Sequence, residues 1–147
     1  MRPDLLPALL PGWRFFDAIG PAPRIDYALL TGGSGLDEAH WQPFRPPPAH
    51  LGLPALLARL LWNPDWNESL YVLRCAERVL EGDSGFPVRE IQRRVDAAAR
   101  AGQLYPPGGA PPLLVFRIRA VWRKDAALIE QLAFTATPWS PGTVPPA

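Results

Sequence analysis

Two aspartates, Asp17 and Asp26, are the side chains of this sequence best placed to do chemistry. Each lies within an apolar stretch, where a carboxyl group removed from water is suited to proton transfer, and two such groups could handle a proton together. Carboxylates near strand ends also cap turns or bind a neighbouring guanidinium group, and Arg14 and Arg24 lie close by in the sequence. We favour the capping or pairing interpretation and keep the proton-handling pair as the alternative.

The other nucleophilic and metal-binding residue types do not form a recognisable site. His40 and His50 lie in or beside proline-rich sequence, without a cysteine or carboxylate at metal-ligand spacing. Cys75 is the single cysteine and falls in a predicted amphipathic helix, where we expect a small buried apolar residue. Ser34 lacks the flanking glycine spacing of a hydrolase nucleophile, and neither glycine-rich nucleotide-binding motif occurs. We therefore predict no catalytic, cofactor-binding or metal-binding residue. Enzyme activity stays open, but these observations favour a protein without catalytic activity.

Several arginines, tryptophans and leucines could instead contact a partner protein. Arg117, Arg119 and Arg123 alternate along one predicted strand, where they could meet acidic groups of a partner or form a plain solvated face. Three of the six tryptophans lie beside prolines and could anchor an interface, or could pack in the core and its loops. A short apolar segment near the N-terminus adds three leucines. The candidate interaction residues are Leu6, Leu9, Leu10, Trp41, Trp62, Arg117, Arg119, Arg123 and Trp139.

Length and charge limit the function classes. A chain of 147 residues is the size of one domain with a self-supporting core. A net charge of +1 provides no field that would gather nucleic acid, so we predict no nucleic-acid partner. No stretch approaches the roughly 20 apolar residues that a membrane-spanning helix needs. The 20 prolines cluster near residues 43–54, 106–112 and 138–146, which predicts loops and tails there.

The N-terminal part has the pattern of short strands. Residues 13–19 and 25–31 form the first two predicted strands, the second with Ile25, Tyr27 and Leu29 on one face. Residues 40–44 predict a short third strand. Pro43 would confine that strand to a sheet edge, because proline lacks the N–H that a central strand requires.

Three helices are predicted next, at residues 53–62, 64–81 and 87–101. Gly82 and Gly102 follow the second and third helices and should end them. The second helix carries an apolar stripe that should face the core, made of Trp66, Leu70, Leu73, Ala76 and Leu80. The corresponding stripe of the third helix is Val88, Ile91, Val95 and Ala98.

The clearest strand pattern lies in residues 114–123, whose apolar side chains point one way and whose arginines point the other. Residues 128–137 should return as a hairpin partner and add Leu132, Phe134 and Ala136 to the apolar face. The element order is then β-β-(β)-α-α-α-β-β. We predict an α+β fold with an antiparallel sheet of four or five strands and about three helices packed on one face. Residues 1–12 would form an N-terminal arm, 13–137 the domain and 138–147 a proline-rich tail.

Short motifs give the chain a family resemblance. Residues 11–16 (Pro-Gly-Trp-Arg-Phe-Phe), Asp26-Tyr27, residues 61–64 (Leu-Trp-Asn-Pro) and the hairpin over 116–134 occur in one order. This order resembles uncharacterised bacterial membrane-associated proteins with a Pro-x-Trp-x-Phe-Phe / Asp-Tyr / Trp-Asn-Pro pattern. The layout is also similar to the extramembrane tail of bacterial vitamin K-dependent carboxylase-like proteins. A membrane helix precedes the pattern in that group, and residues 5–10 here are too short for one. The resemblance implies a domain that works beside a membrane protein, and it carries no catalytic residues.

Together these patterns predict a non-enzymatic protein–protein interaction module. It would be an accessory or peripheral subunit of a larger complex, membrane-bound or not, located in the cytoplasm or at the periphery of the inner membrane. We expect a protein partner, with a membrane protein as one option, and no metal or cofactor. The alternative is a small-ligand-binding domain or minor enzyme, with a pocket between sheet and helices lined by Tyr27, Trp41 and Tyr71 and polarised by Asp17 or Asp26.

Overall fold

The computed structural model describes residues 20–46, 52–54, 57–58, 64–106, 108 and 112–145. These residues form an α+β fold, as predicted, with one four-stranded antiparallel sheet, two long helices and a short 3₁₀ helix at Leu36–Glu38. The predicted strand at residues 13–19 lies outside the described residues, as does most of the helix predicted at 53–62, of which residues 53, 54, 57 and 58 are helical. The strands are β1 (Ala22–Leu30), β2 (Gln42–Pro43), β3 (Leu113–Lys124) and β4 (Ala127–Thr135), and the helices are α1 (Pro64–Leu80) and α2 (Phe86–Arg100).

The two longest ladders put β1 and β3 in the centre of the sheet, whose strand order is β2-β1-β3-β4. Strand β2 pairs with only two residues of β1, Asp26 and Tyr27, and Pro43 lies on this edge as predicted. A two-residue turn at 125–126 connects β3 and β4 as a hairpin. The described sheet therefore ends at β2 on one side and at β4 on the other.

Glycines end both helices in the predicted places. At the end of α1, the amide of Gly82 donates to the carbonyl of Val79, and the amide of Asp83 donates to that of Arg78, which is a Schellman motif. Gly82 has a φ of 102°, a conformation that glycine adopts without steric cost. Gly102 ends α2 by the same pattern.

The buried face of α1 overlaps the predicted stripe only in part: Ala76 is buried and Leu80 packs against the core, as predicted. Helix α1 packs against β1 and α2 through small and β-branched side chains, whereas Leu70 is exposed and Trp66 is only partly buried. Both sides of the helix carry apolar residues, so helical periodicity alone did not select the side that packs. The buried residues of α1 are Val72, Cys75, Ala76 and Val79. In α2 the prediction was closer, because Ile91, Val95 and Ala98 are buried and Val88 packs against them.

One face of the sheet, the inner face, packs against the helices. Phe116 and Ile118 of β3 and Ile25 of β1 are buried there together with the apolar sides of α1 and α2. Phe116 also contacts the rings of Phe134 and Trp139. This single cluster is the main core of the domain.

A β-bulge in β4 changes one expectation about the hairpin. Ile118 pairs with Phe134 but Arg119 pairs with Leu132, so Ala133 is an extra residue without a partner in β3. Because side chains alternate along a strand, the insertion moves Leu132 to the opposite side of the sheet from Phe134. Phe134 and Ala136 contribute to the core as predicted, whereas Leu132 is 55% exposed and does not.

Candidate interaction surface

The arginine row lies on the sheet face that points away from the helices, which we call the outer face. Antiparallel register puts Asp26 of β1 directly opposite Arg117 of β3, and Arg24 opposite Arg119. Leu128 of β4 pairs with Arg123. Since partners in a ladder share one side of the sheet, all these side chains belong to the outer face. The predicted alternation of β3 thus holds for the three arginines.

Asp26 is the centre of a charged cluster on the outer face. Its Oδ2 accepts hydrogen bonds from Arg117 Nε at 2.9 Å and Arg119 Nε at 2.7 Å, and its Oδ1 accepts one from Arg119 Nη2 at 3.0 Å. Asp26 is only 3% exposed, so the two guanidinium groups replace its hydration. Arg119 also donates to Glu130 of β4, and the hydrogen bond to Asp26 raises the pKa of Arg119.

This geometry gives the aspartate a partner other than the nearest one in sequence. We predicted that Asp26 caps a turn or pairs with Arg14 or Arg24, with a proton-handling pair with Asp17 as the alternative. The carboxylate instead binds two arginines that lie 91 and 93 residues further along the chain. Asp17 lies outside the described residues. Both oxygens of Asp26 are occupied by cationic donors, so the carboxylate serves to order the arginines.

Trp41 covers one end of the outer face. The loop that follows β1 folds back over the sheet, and Trp41 packs with a small apolar cluster formed by Ala28, Leu30 and Val115. The guanidinium carbon of Arg117 lies 4.4 Å from the centre of the Trp41 ring, which is a cation–π contact. One predicted interaction residue therefore fixes the position of another.

The opposite end of the outer face, next to the β3–β4 turn, is open. Leu128 is 63% exposed and Leu132 is 55% exposed, and both lie beside the arginines of β3 in the ladder. Arg123 is exposed as well. Sequence reasoning named Arg123 but assigned Leu132 to the core, because nothing in the local pattern revealed the bulge at Ala133.

The remaining candidate residues have different positions. Leu6, Leu9, Leu10 and Trp62 lie outside the described residues. Trp139 is 8% exposed and forms part of the core, so its side chain offers no surface to a partner. Residues 138–145, predicted as part of a tail, pack on the domain, since Trp139 exchanges two backbone hydrogen bonds with Leu114.

Asp96, which sequence reasoning missed, holds this C-terminal segment in place. It is fully buried, and its Oδ1 accepts hydrogen bonds from Trp139 Nε1 at 3.1 Å and from the amide of Gly142 at 2.8 Å. Arg100 Nε lies 3.0 Å from Oδ2 as an ion pair, without hydrogen-bond geometry. The i, i+4 spacing of Asp96 and Arg100 was the available signal in the sequence.

A second charged network joins the two helices. Glu68 of α1 lies within 3.1 Å of Arg45 and 3.0 Å of Arg94, and Tyr71 donates a hydrogen bond to Glu90 of α2 at 3.2 Å. Burial raises the pKa of Tyr71 and that of the nearby Cys75 thiol. Cys75 is buried as predicted, which favours a packing role over a reactive one.

The three aromatic residues expected to line a pocket do not share one. Tyr27 points into the inner-face core, Trp41 lies on the outer face, and Tyr71 is partly exposed on α1. Among the described residues, one cavity between β1, β2 and α1 measures about 60 Å³. A wider and more open one of about 470 Å³, between the same elements and the end of α2, is lined by Tyr27 but not by Trp41 or Tyr71. Another open groove, of about 310 Å³, contains three arginines, each beside its own carboxylate. That balance favours neither an anionic nor a cationic ligand.

The described residues contain neither a metal site nor a membrane-spanning helix. No group of three or more histidine, cysteine, aspartate or glutamate residues there could hold a metal ion. In the same part of the chain, every helix is too short or too polar to cross a bilayer.

Comparisons of the chain with family models, with curated proteins and with solved structures found no match. The outer face is therefore interpreted from its own chemistry.

Proposed function

We propose that this chain is a non-enzymatic protein–protein interaction module, an accessory or peripheral subunit of a larger complex that docks through the open end of its outer face. The observation that carries the proposal is the pair of exposed leucines on one face of the sheet, Leu128 beside Arg123 and Leu132 beside Arg119. Exposed apolar side chains grouped with arginine are typical of interaction surfaces.

The arginines near these leucines are already held in position, which also supports an interaction surface. Binding costs free energy when flexible side chains become fixed, on the order of 1 kcal/mol for each long side chain. Asp26 and Trp41 already hold Arg117, and Asp26 and Glu130 hold Arg119, before any partner arrives. A partner docking beside these groups would meet a surface that is largely preorganised.

The partner we propose is a protein of the bacterial cytoplasm or inner membrane. The resemblance to extramembrane domains of bacterial membrane-associated proteins motivates this part of the proposal. The subunit would then work in the cytoplasm or at the periphery of the inner membrane.

The test is affinity purification of the tagged full chain from its bacterial host in mild detergent, compared with two double variants. Leu128→Ser with Leu132→Ser should abolish recovery of a stoichiometric partner, because it removes the exposed apolar side chains. Leu70→Ser with Phe86→Ser changes two exposed apolar residues on the helices and should leave recovery unchanged. Thermal melts check that both variants fold. A strictly monomeric chain without a partner, or equal recovery by both variants, would contradict the proposal.

A further inference from the structure

We infer that the outer edge of β4, which no described strand pairs with, accepts an extended segment of the partner protein as a fifth strand, and that this segment combines apolar and acidic residues. The inference rests on the proposed function and specifies how the partner is held. Strand addition to a sheet edge provides affinity through backbone hydrogen bonds and specificity through alternate side chains.

The backbone of β4 is available for such pairing. Strand β4 is hydrogen-bonded to β3 on one side, and no described strand pairs with its other side. The two-residue turn makes Lys124 and Ala127 a hydrogen-bonded pair, so in the alternating antiparallel pattern the N–H and C=O groups of residues 128, 130 and 132 point away from β3. Residues 128, 130 and 132 thus have their side chains on the outer face and their backbone N–H and C=O groups pointing away from β3.

The edge lacks most of the features that normally prevent strand pairing. Natural edges carry lysine or proline, or are short and strongly bulged. Before the bulge, β4 runs for six residues, Ala-Leu-Ile-Glu-Gln-Leu, with neither proline nor lysine and with one charge, at Glu130. An edge of this length and composition is a pairing site unless something covers it.

The charges of the outer face select the chemistry of the added strand. The strand residues of this face include four arginines, at positions 24, 117, 119 and 123, and two carboxylates, Asp26 and Glu130. Both carboxylates bind arginines of β3. Arg123 lies next to the turn and beside Leu128, where an acidic residue near one end of the added strand would meet it. Residues facing Leu128 and Leu132 would be apolar.

A second copy of this chain fits the edge less well. In an antiparallel pair of two β4 strands, the register that matches Leu128 of each copy with Leu132 of the other places Glu130 opposite Glu130. Like charges directly opposite one another destabilise strand pairing. The partner strand should therefore come from a different protein.

The test is selection of displayed nine-residue peptides on the immobilised full chain, followed by fluorescence anisotropy with the enriched peptides. We expect enriched sequences with alternating apolar residues and an aspartate or glutamate near one end. Glu130→Pro should weaken their binding at least tenfold, because it removes an outward N–H, whereas Glu130→Ala should retain affinity within about threefold. Both variants lose the same carboxylate, so the difference isolates the backbone.

A second pair of variants tests the charge preference without touching the backbone. Arg123→Glu should weaken acidic peptides about tenfold, and Arg89→Glu, an exposed change on α2, should not. Failure to enrich peptides, enrichment of basic peptides, or equal binding to Glu130→Pro and Glu130→Ala would overturn the inference. A dimer in sedimentation equilibrium that Glu130→Pro dissociates would overturn it in favour of a second copy.

Purification from the host separates this inference from the proposed function. If Glu130→Pro recovers the native partner as well as Glu130→Ala does, while the Leu128→Ser, Leu132→Ser variant does not, the outer face binds without strand addition. If the leucine variant also recovers the partner, the proposed docking surface itself is wrong.

Discussion

The two faces of the central sheet are built from the same alternating strands but are stabilised in different ways. The inner face buries Phe116 and Ile118 against two helices, so apolar contact holds it together. The outer face buries Asp26 between two arginines and leaves Leu128 and Leu132 in water. Helices cover the core of the first face, whereas the loop that carries Trp41 covers only one end of the second. The inner face therefore supports the fold, and the open end of the outer face is the place where we propose that a partner binds.

The largest expected effect is on the inner face. Phe116→Ala should reduce the free energy of unfolding by about 3–5 kcal/mol, because the side chain is fully buried and its removal leaves a cavity under two other aromatic rings. Urea denaturation followed by circular dichroism measures the change. A loss below about 1 kcal/mol would mean that the helices do not close this face as described.

The next effect tests the charged cluster of the outer face. Asp26→Ala should cost about 2–4 kcal/mol, since it leaves Arg117 and Arg119 partly buried without their shared carboxylate. Glu130→Ala removes an exposed partner of the same Arg119 and should cost less than about 1 kcal/mol. Equal losses of unfolding free energy in the two variants would show that the buried Asp26 contributes no more to stability than the exposed Glu130.

A smaller effect on stability is expected at two tryptophans, Trp139 and Trp41, which the sequence analysis treated alike. Trp139→Phe removes the indole N–H that binds the buried Asp96, and we expect a loss of about 2 kcal/mol. Trp41→Phe keeps an aromatic ring beside Arg117 and should cost less than about 1 kcal/mol. Thermal unfolding of both variants under one set of conditions provides the comparison, and a reversed order would contradict the assignment of Trp139 to the core.

The smallest effect on stability belongs to the proposed docking residues. Leu132→Ala should change the free energy of unfolding by less than about 0.5 kcal/mol, because the side chain is more than half exposed. The same substitution should weaken recovery of the partner in affinity purification. A stability loss above about 2 kcal/mol would place Leu132 in the core, as the sequence pattern had indicated.

Much of the architecture followed from local patterns. Alternation in β3 predicted both its apolar side and its arginine row, because side-chain direction along a strand has a period of two residues. Gly82 and Gly102 predicted where the helices end, since few other residues adopt a left-handed conformation at low cost. Pro43 predicted an edge strand by its missing N–H. These features depend on a few neighbouring residues, which is why the sequence alone determined them.

Only the tertiary structure decided which groups meet. The partners of Asp26 lie more than 90 residues away, and antiparallel register rather than sequence proximity brings them together. The bulge at Ala133 moved Leu132 from the core to the outer face, and packing against β1 selected the buried side of α1. Trp139 became a core residue because buried Asp96 accepts its N–H. Each outcome depends on contacts between distant segments, whose free energies local composition does not encode.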